Sequence, residues 1–160
     1  MRQAARALII RDGKILVMHR NKFGHAYYIL LGGGVDPGET PEQTLAREVY
    51  EESGFTIRNP RLVFVQDVGQ PYGVQYIFTC ETDGQEPVLG ADTDEHHINQ
   101  LGQNLYRPLW LPLDQLASVT FRTPELQQAI LLAVQHGFPS QPVQLDAEYL
   151  DNLQASMRKG

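Results

Sequence analysis

The segment spanning residues 32–54 constrains the fold of this chain more than any other. It opens with three consecutive glycines and continues into a strong helix signal over residues 41–53. Thr40 is an expected N-cap, and Gln43 three residues later completes the pattern of a capping box. A proline occupies the first helical position and Gly54 lies just past the last, which are the residues preferred at helix ends. The segment therefore predicts a glycine turn that runs directly into a capped helix.

Apolar and turn-forming segments alternate along the rest of the chain. Strands are predicted over residues 4–10, 14–19, 27–31, 61–68, 74–81 and 105–110, a helical turn over 113–116, and helices over 124–136 and 146–157. Asp12 and Gly13 between the first two strands are a typical hairpin signal, and the polar residues 83–103 are predicted to form a loop. The order predicts an α+β fold with a mixed β-sheet flanked by helices. We expect one domain over residues 1–160, with its last helix peripheral.

The composition restricts the classes of function. Nineteen acidic residues against thirteen Lys and Arg give a net charge of −6, which disfavours a protein that binds nucleic-acid backbones. The single cysteine, Cys80, excludes an internal disulfide. The sequence has neither an apolar run of about 20 residues nor a secretory leader pattern. We therefore expect a cytoplasmic monomer or homodimer that has neither a membrane nor a nucleic-acid partner.

Three of the acids are gathered on the predicted helix. Glu48, Glu51 and Glu52 stand at i, i+3 and i+4, where like charges repel in an isolated helix. One reading is a solvated acidic face on which Arg47 is a partial counter-charge. The other is a site for Mg²⁺ or Mn²⁺, which prefer oxygen ligands. The glycine turn before the helix favours the metal site, because glycines let the backbone approach a ligand closely. Phosphoanhydrides are typical substrates of such a site.

The spacing of these residues is that of a known motif. From Gly33 the chain has five residues, Glu39, seven residues, then Arg-Glu-Val at 47–49, Glu-Glu at 51–52 and Gly-Phe at 54–55. This resembles a complete Nudix box, and the order of flanking strands resembles the Nudix hydrolase fold. The resemblance implies an α/β/α sandwich that hydrolyses a nucleoside diphosphate linked to another group, with Mg²⁺ or Mn²⁺ as cofactor.

The resemblance also implies a set of site residues. The metal ligands it implies are the carboxylates of Glu48, Glu51 and Glu52 and the carbonyl of Gly33. Arg47 and Glu39 match positions that support the loop and helix by charge pairing, so Arg47 belongs to the catalytic set in a supporting role. The base that activates water varies in the family. Glu51 and Glu95 are both candidates here, and Glu95 comes from the acidic segment at residues 92–97.

Residues near the glycine turn are candidates for substrate binding. They are Arg20, Tyr28 and Gly34, and Arg20 is suited to neutralise the outer phosphate. One departure from the Nudix pattern is Leu31, where the family commonly has proline, and we expect it to affect only the rigidity of the loop.

Two functions follow from the sequence. The first is a metal-dependent pyrophosphohydrolase acting on a small nucleotide, such as an ordinary or oxidised nucleoside triphosphate, a nucleotide sugar or ADP-ribose. The alternative is a sensor of the same fold that binds a nucleotide or ADP-ribose and does not turn it over. An intact motif favours the enzyme.

Overall fold

The computed structural model of the chain describes residues 2–91 and 93–159, with side chains as far as residue 155. Strands lie at Gln3–Leu8 (β1), Ile10–Arg11 (β2), Lys14–Lys22 (β3), His25–Ile29 (β4), Leu31–Gly34 (β5), Ile57–Asp67 (β6), Val74–Thr82 (β7), Asn104–Pro112 (β8) and Val143–Gln144 (β9). Helices lie at Pro41–Ser53 (α1), Asp94–Asn99 (α2), Pro124–His136 (α3) and Ala147–Lys159 (α4), and a 3₁₀ helix lies at Leu113–Ser118.

Over the described residues these strands form two sheets rather than one. The larger sheet has the order β5-β1-β7-β6-β9. It is a mixed sheet. The pairs β1–β7 and β6–β9 are parallel, whereas the pairs β5–β1 and β6–β7 are antiparallel. In the smaller sheet β3 is paired antiparallel with β2, β4 and β8. The mixed sheet expected from the sequence is thus present, with a second sheet beside it.

Two predicted strands divide where the chain passes from one sheet to the other. The strand predicted over residues 27–31 becomes β4 in the smaller sheet and β5 in the larger, with Leu30 between them. The strand predicted over residues 4–10 divides in the same way at Ile9. Leu30 and Ile9 are both almost fully buried. Hydrophobic patterning cannot show such a crossing, because the apolar run continues through it.

Helices cover both faces of the larger sheet. On one face α1 packs through Leu45 and Val49 in a core that also holds Phe78. On the other face, Ile130 of α3 belongs to a second core with Phe64. This arrangement confirms the predicted sandwich, and it places α1 beside β5.

The ends of α1 are those predicted from the sequence. The Thr40 hydroxyl accepts from the backbone N–H of Gln43 at 3.1 Å, and the Gln43 side chain accepts from the N–H of Thr40 at 2.9 Å. Gly54 adopts the left-handed conformation with φ +78°. The buried side of α1 does not follow the polarity of its residues, because Tyr50 is exposed whereas Glu52 is buried. Glu52 follows Val49 by three residues and therefore shares its buried side.

The segment predicted as a loop over residues 83–103 contains α2. Thr93 caps this helix, and its hydroxyl accepts from the backbone N–H of His96 at 3.0 Å. Five of its six residues are polar and only Ile98 is apolar, so no apolar periodicity predicts such a helix. Its effect is to fix the position of Glu95. None of the helices within the described residues is long and apolar enough to cross a membrane.

Candidate functional site

Three carboxylates from two helices converge beside the glycine turn. One oxygen each from Glu48 and Glu52 on α1 and from Glu95 on α2 lies within 4.8 Å of the other two. Glu52 is only 5% exposed, and the other two are half-buried. The structure therefore brings the later-loop candidate Glu95 to the motif glutamates. Oxygen donors at this spacing suit a hard divalent cation such as Mg²⁺ or Mn²⁺.

Burial makes this cluster unfavourable without a cation. Desolvation raises the pKa of Glu48 to about 7, although the nearby charge of Arg47 opposes the shift. Burial also raises the pKa of Glu52 well above its ordinary value, and the charge of Glu48 adds to the effect. A hydrogen bond from the backbone N–H of Gly32 to Glu52 Oε1, at 2.8 Å, compensates only in part. A divalent cation would supply the positive charge that these carboxylates lack, so the residues present fit the metal that the motif implies.

The glycine turn is tight because other groups occupy the space of its side chains. A Cβ on Gly33 would lie 2.5 Å from Glu48 Oε1. A Cβ on Gly32, which has φ +145°, would lie 2.0 Å from the carbonyl oxygen of Ala5. Glycine is therefore required at Gly32, where the obstacle is backbone, whereas a side chain at Gly33 would displace the Glu48 carboxylate. The Gly33 backbone lies directly against the Glu48 carboxylate, which is compatible with the metal-ligand role expected for its carbonyl.

Arg47 connects the turn, the helix and the carboxylates. Its guanidinium makes two hydrogen bonds to Glu39, at 2.7 and 2.9 Å, and donates to Glu48 Oε1 at 3.0 Å. It also lies 3.3 Å from Asp36. The hydrogen bonds from Arg47 and Thr44 lower the pKa of Glu39 to about 2. Arg47 therefore holds the Glu48 carboxylate in place, which agrees with a supporting role.

Glu51 lies apart from the cluster of three. Its carboxylate is 3.4 Å from the guanidinium of Arg47 and is 40% exposed. The motif set of Glu48, Glu51 and Glu52 thus differs from the set that the structure gathers, in which Glu95 takes the third place. Asp92, from the same acidic segment, lies outside the described residues.

A cleft of about 720 Å³ opens beside the cluster. Five cationic residues line it: Arg2, Arg6, Arg20, Lys22 and Arg122. Arg20 stacks over the ring of Tyr106 at 3.6 Å and donates to the Tyr27 hydroxyl at 3.3 Å. Gly34 also lines the cleft. These cations offset the carboxylates, so the cleft of this acidic protein is suited to an anionic ligand.

Tyr28, expected to bind substrate, does not line the cleft. Its ring packs against His19 at 4.8 Å and against the core beneath α3. The neighbouring Tyr27 lines the cleft instead, because side chains alternate between the two faces of a strand. The sequence places a tyrosine here, but it does not show which of the two faces the ligand.

Several other cleft residues were not predicted from the sequence. They are Gln66, Tyr72, Tyr106 and Arg122, contributed by four separate segments of the chain. Arg122 lies just before α3, and its guanidinium is 4.3 Å from the ring centroid of Tyr27 and 5.9 Å from that of Tyr72. No local pattern marks these residues, because only the folding of distant segments brings them together.

Comparison with known proteins agrees with this geometry. The family model described as NUDIX domain matches residues 1–132. The chain is 38% identical over 81 residues to the NAD-capped RNA hydrolase NudC of Escherichia coli, a match that covers 51% of this chain and 32% of that protein. The chain thus spans about a third of the length of the curated relatives it matches.

Solved structures share the fold. A MutT NUDIX hydrolase from Burkholderia pseudomallei is 26% identical with a TM-score of 0.54, covering 71% of this chain and 84% of the other. An ADP-ribose pyrophosphatase from Streptococcus suis is 19% identical with a TM-score of 0.61, covering 89% and 96%. At that identity the second likeness concerns the fold alone.

Proposed function

This chain belongs to the NUDIX domain family, and on that premise we propose that it is a metal-dependent pyrophosphohydrolase acting on a nucleoside diphosphate linked to another group. The observation that carries the proposal is the convergence of Glu48, Glu52 and Glu95 at one end of a cation-lined cleft. The name of the relative that is 38% identical over 81 residues, an NAD-capped RNA hydrolase, supports a phosphoanhydride of a nucleotide as the substrate.

The buried carboxylates would hold Mg²⁺ or Mn²⁺. When bound, the cation supplies Lewis acidity and neutralises phosphate charge. Glu48 and Glu52 are the ligands from α1, with the Gly33 carbonyl beside them, and Arg47 fixes the orientation of Glu48. Glu51 takes part as a further ligand only by turning away from Arg47.

Glu95 is better placed than Glu51 to take a proton from the attacking water. It faces the other two carboxylates, and it makes no side-chain hydrogen bond within the part of the chain that the structure describes. The Glu51 carboxylate is instead directed to the guanidinium of Arg47. A general base must lie within hydrogen-bond reach of the water it activates, and Glu95 meets this condition if the water is bound at the cluster.

The cationic residues of the cleft would bind the phosphates of the substrate. Arg20 and Arg6 lie nearest the motif end, and Arg6 is held by hydrogen bonds to Gln75 and to the Leu30 carbonyl, both at 3.2 Å. Guanidinium groups held in this way bind phosphate oxygens in a defined orientation. The substrate would thus be placed with its anhydride over the carboxylates.

A panel of phosphoanhydrides tests this function. The panel contains nucleoside triphosphates, nucleotide sugars, ADP-ribose and NAD, each incubated with and without Mg²⁺, and phosphate release is measured after treatment of the products with a phosphatase. We expect Mg²⁺-dependent release from at least one of these compounds. Tight binding of a compound without any product would contradict the hydrolase activity and indicate the nucleotide-binding sensor instead.

A further inference from the structure

The end of the cleft at the N-terminus of α3 contains a hydrogen-bond donor with no protein partner. Gln66 of β6 is 6% exposed and lines the cleft. Its amide oxygen accepts from the Thr123 hydroxyl at 3.1 Å. The same hydroxyl accepts from the backbone N–H of Leu126 as the N-cap of α3, so its proton is directed to Gln66. The Gln66 amide nitrogen has no hydrogen-bond partner among the described residues, and it is open to the cleft, since none of their fully buried side-chain nitrogens and oxygens lacks a partner.

Arg122 lies at the same end of the cleft and is also available. Its guanidinium lies over Tyr27 and near Tyr72. Within residues 2–91 and 93–155, no carboxylate forms an ion pair with it. Tyr72 is 42% exposed and provides a flat surface, whereas Tyr27 is only 5% exposed and lies beneath the Arg122 guanidinium. Arg122 and Gln66 provide N–H groups. This end of the cleft therefore combines one aromatic face with donors that have no acceptor.

We propose that Gln66, Arg122 and the ring of Tyr72 form a nucleobase subsite that selects bases bearing a carbonyl oxygen over bases bearing an amino group in the same position. The proposal rests on the proposed function, because it supposes that the cleft takes a nucleotide. A planar base fits against the exposed ring of Tyr72, and a base carbonyl accepts from the donors that are free. An amino group there would face other donors and leave them unpaired.

The neutral amide favours a base over a second phosphate at this subsite. A built phosphate site gathers cations and backbone N–H groups, whereas Gln66 adds no charge and is held in one orientation by Thr123. Arginine pairs with an oxopurine through two N–H groups, one to the carbonyl oxygen O6 and one to the ring nitrogen N7. The subsite is therefore expected to distinguish inosine from adenosine monophosphate, which differ at position 6 of the purine.

Binding of nucleoside monophosphates tests the proposal without catalysis. Isothermal titration calorimetry of the full chain would compare IMP with AMP and UMP with CMP. We expect the oxo-base of each pair to bind roughly tenfold or more tightly, the discrimination typical of a well-placed hydrogen-bonding pair. Because no bond is cleaved, failure of the proposed hydrolase activity would leave this measurement intact, and hydrolysis without base preference would overturn the subsite alone.

Substitutions of Arg122 and Gln66 identify the groups responsible for the base preference. Arg122→Met and Gln66→Met should each weaken IMP binding and leave AMP binding nearly unchanged, so the ratio of the two affinities falls towards one. Gln66→Glu replaces the donor by an acceptor and should shift the preference towards AMP.

Arg122 is exposed, so its variant keeps the test valid if substitution of the buried Gln66 impairs folding. Arg107→Met, at an exposed arginine of β8 outside the cleft, is the matched control and should preserve the preference.

Three outcomes would overturn the subsite. The first is equal binding of IMP and AMP by the wild-type chain. The second is a preference for IMP that survives both Arg122→Met and Gln66→Met. The third is competition by inorganic phosphate that depends on Arg122 with no influence of the base, which would indicate an anion site at this end of the cleft.

Discussion

Arg47 and Glu39 form a two-point ion pair, in which Nε lies 2.7 Å from Oε2 and Nη2 lies 2.9 Å from Oε1. Glu39 lies in the turn before α1, and Arg47 lies two turns into that helix. The same guanidinium donates to Glu48 Oε1 at 3.0 Å. The pair thus links the glycine turn to a carboxylate of the proposed metal site, which gives a structural reason for both residues to belong to the motif.

Replacing Arg47 by lysine should impair catalysis more than it impairs substrate binding. Lysine keeps the charge but cannot make the two-point contact with Glu39 while also reaching Glu48. We expect kcat to fall by about tenfold or more, because a misplaced ligand of this kind typically costs 10–100-fold, with a smaller change in KM. Steady-state kinetics of the wild type and Arg47→Lys measure this. An unchanged kcat in a folded variant would show that Arg47 does not position Glu48.

The ion pair between Glu39 and Arg47 should make the free energy of unfolding depend on pH over a defined range. The pKa of Glu39 in the folded chain is about 2, below its ordinary value of 4.5. The contribution of the ionised Glu39 to the free energy of unfolding is therefore fully present above pH 4.5 and is lost as the pH falls towards 2. Urea denaturation of the wild type and Glu39→Gln at a series of pH values should show the advantage of the wild type narrowing through that window. A constant difference in the free energy of unfolding would contradict the assigned pKa.

Glu95 should contribute to metal affinity although it lies outside the motif. Glu95→Gln keeps the size of the side chain and removes its charge, and we expect Mn²⁺ to bind about tenfold more weakly. The control is Asp94→Asn on the same helix, since Asp94 is exposed and is absent from the carboxylate cluster. Mn²⁺ titration followed by electron paramagnetic resonance measures both. Equal Mn²⁺ affinities of the two variants would show that Glu95 does not belong to the metal site.

Gly33→Ala should disturb the carboxylate cluster by contact. The added methyl group would lie 2.5 Å from Glu48 Oε1, so this carboxylate must move away from Glu52 and Glu95. We expect weaker Mn²⁺ binding and a lower kcat, with far-ultraviolet circular dichroism like that of the wild type. Wild-type Mn²⁺ affinity in Gly33→Ala would mean that the Glu48 carboxylate adjusts without loss.

The elements predicted correctly are those whose signals are local. Both ends of α1 could be placed from the sequence, because Thr40, Gln43 and Gly54 act within one turn of the helix. The bounds of α3 follow in the same way from Thr123 and Gly137. Where the predictions differ from the structure, distant contacts decide. The passage of the chain between two sheets at Leu30 depends on packing, and Asn99 of α2 is hydrogen-bonded to the backbone of Tyr106 in β8.

The same distinction between local and distant signals applies to the candidate site. The motif glutamates could be identified from the sequence because their spacing along one helix is local. The burial of Glu52 could not be predicted, because it depends on how α1 packs against the sheet. Arg122 and Gln66 could not be predicted either, since they are distant in sequence and meet only across the cleft.

Turnover of the wild type and Glu52→Gln as a function of Mg²⁺ concentration tests the central claim most directly. Glutamine keeps the size of Glu52 and can still accept from the N–H of Gly32, so the fold should be retained while the ligand charge is lost. For a substrate found in the panel, we predict wild-type turnover that rises from none in EDTA to saturation with Mg²⁺, and turnover lower by orders of magnitude in the variant. Full turnover of the wild type in EDTA, or equal turnover of the two proteins, would contradict the account.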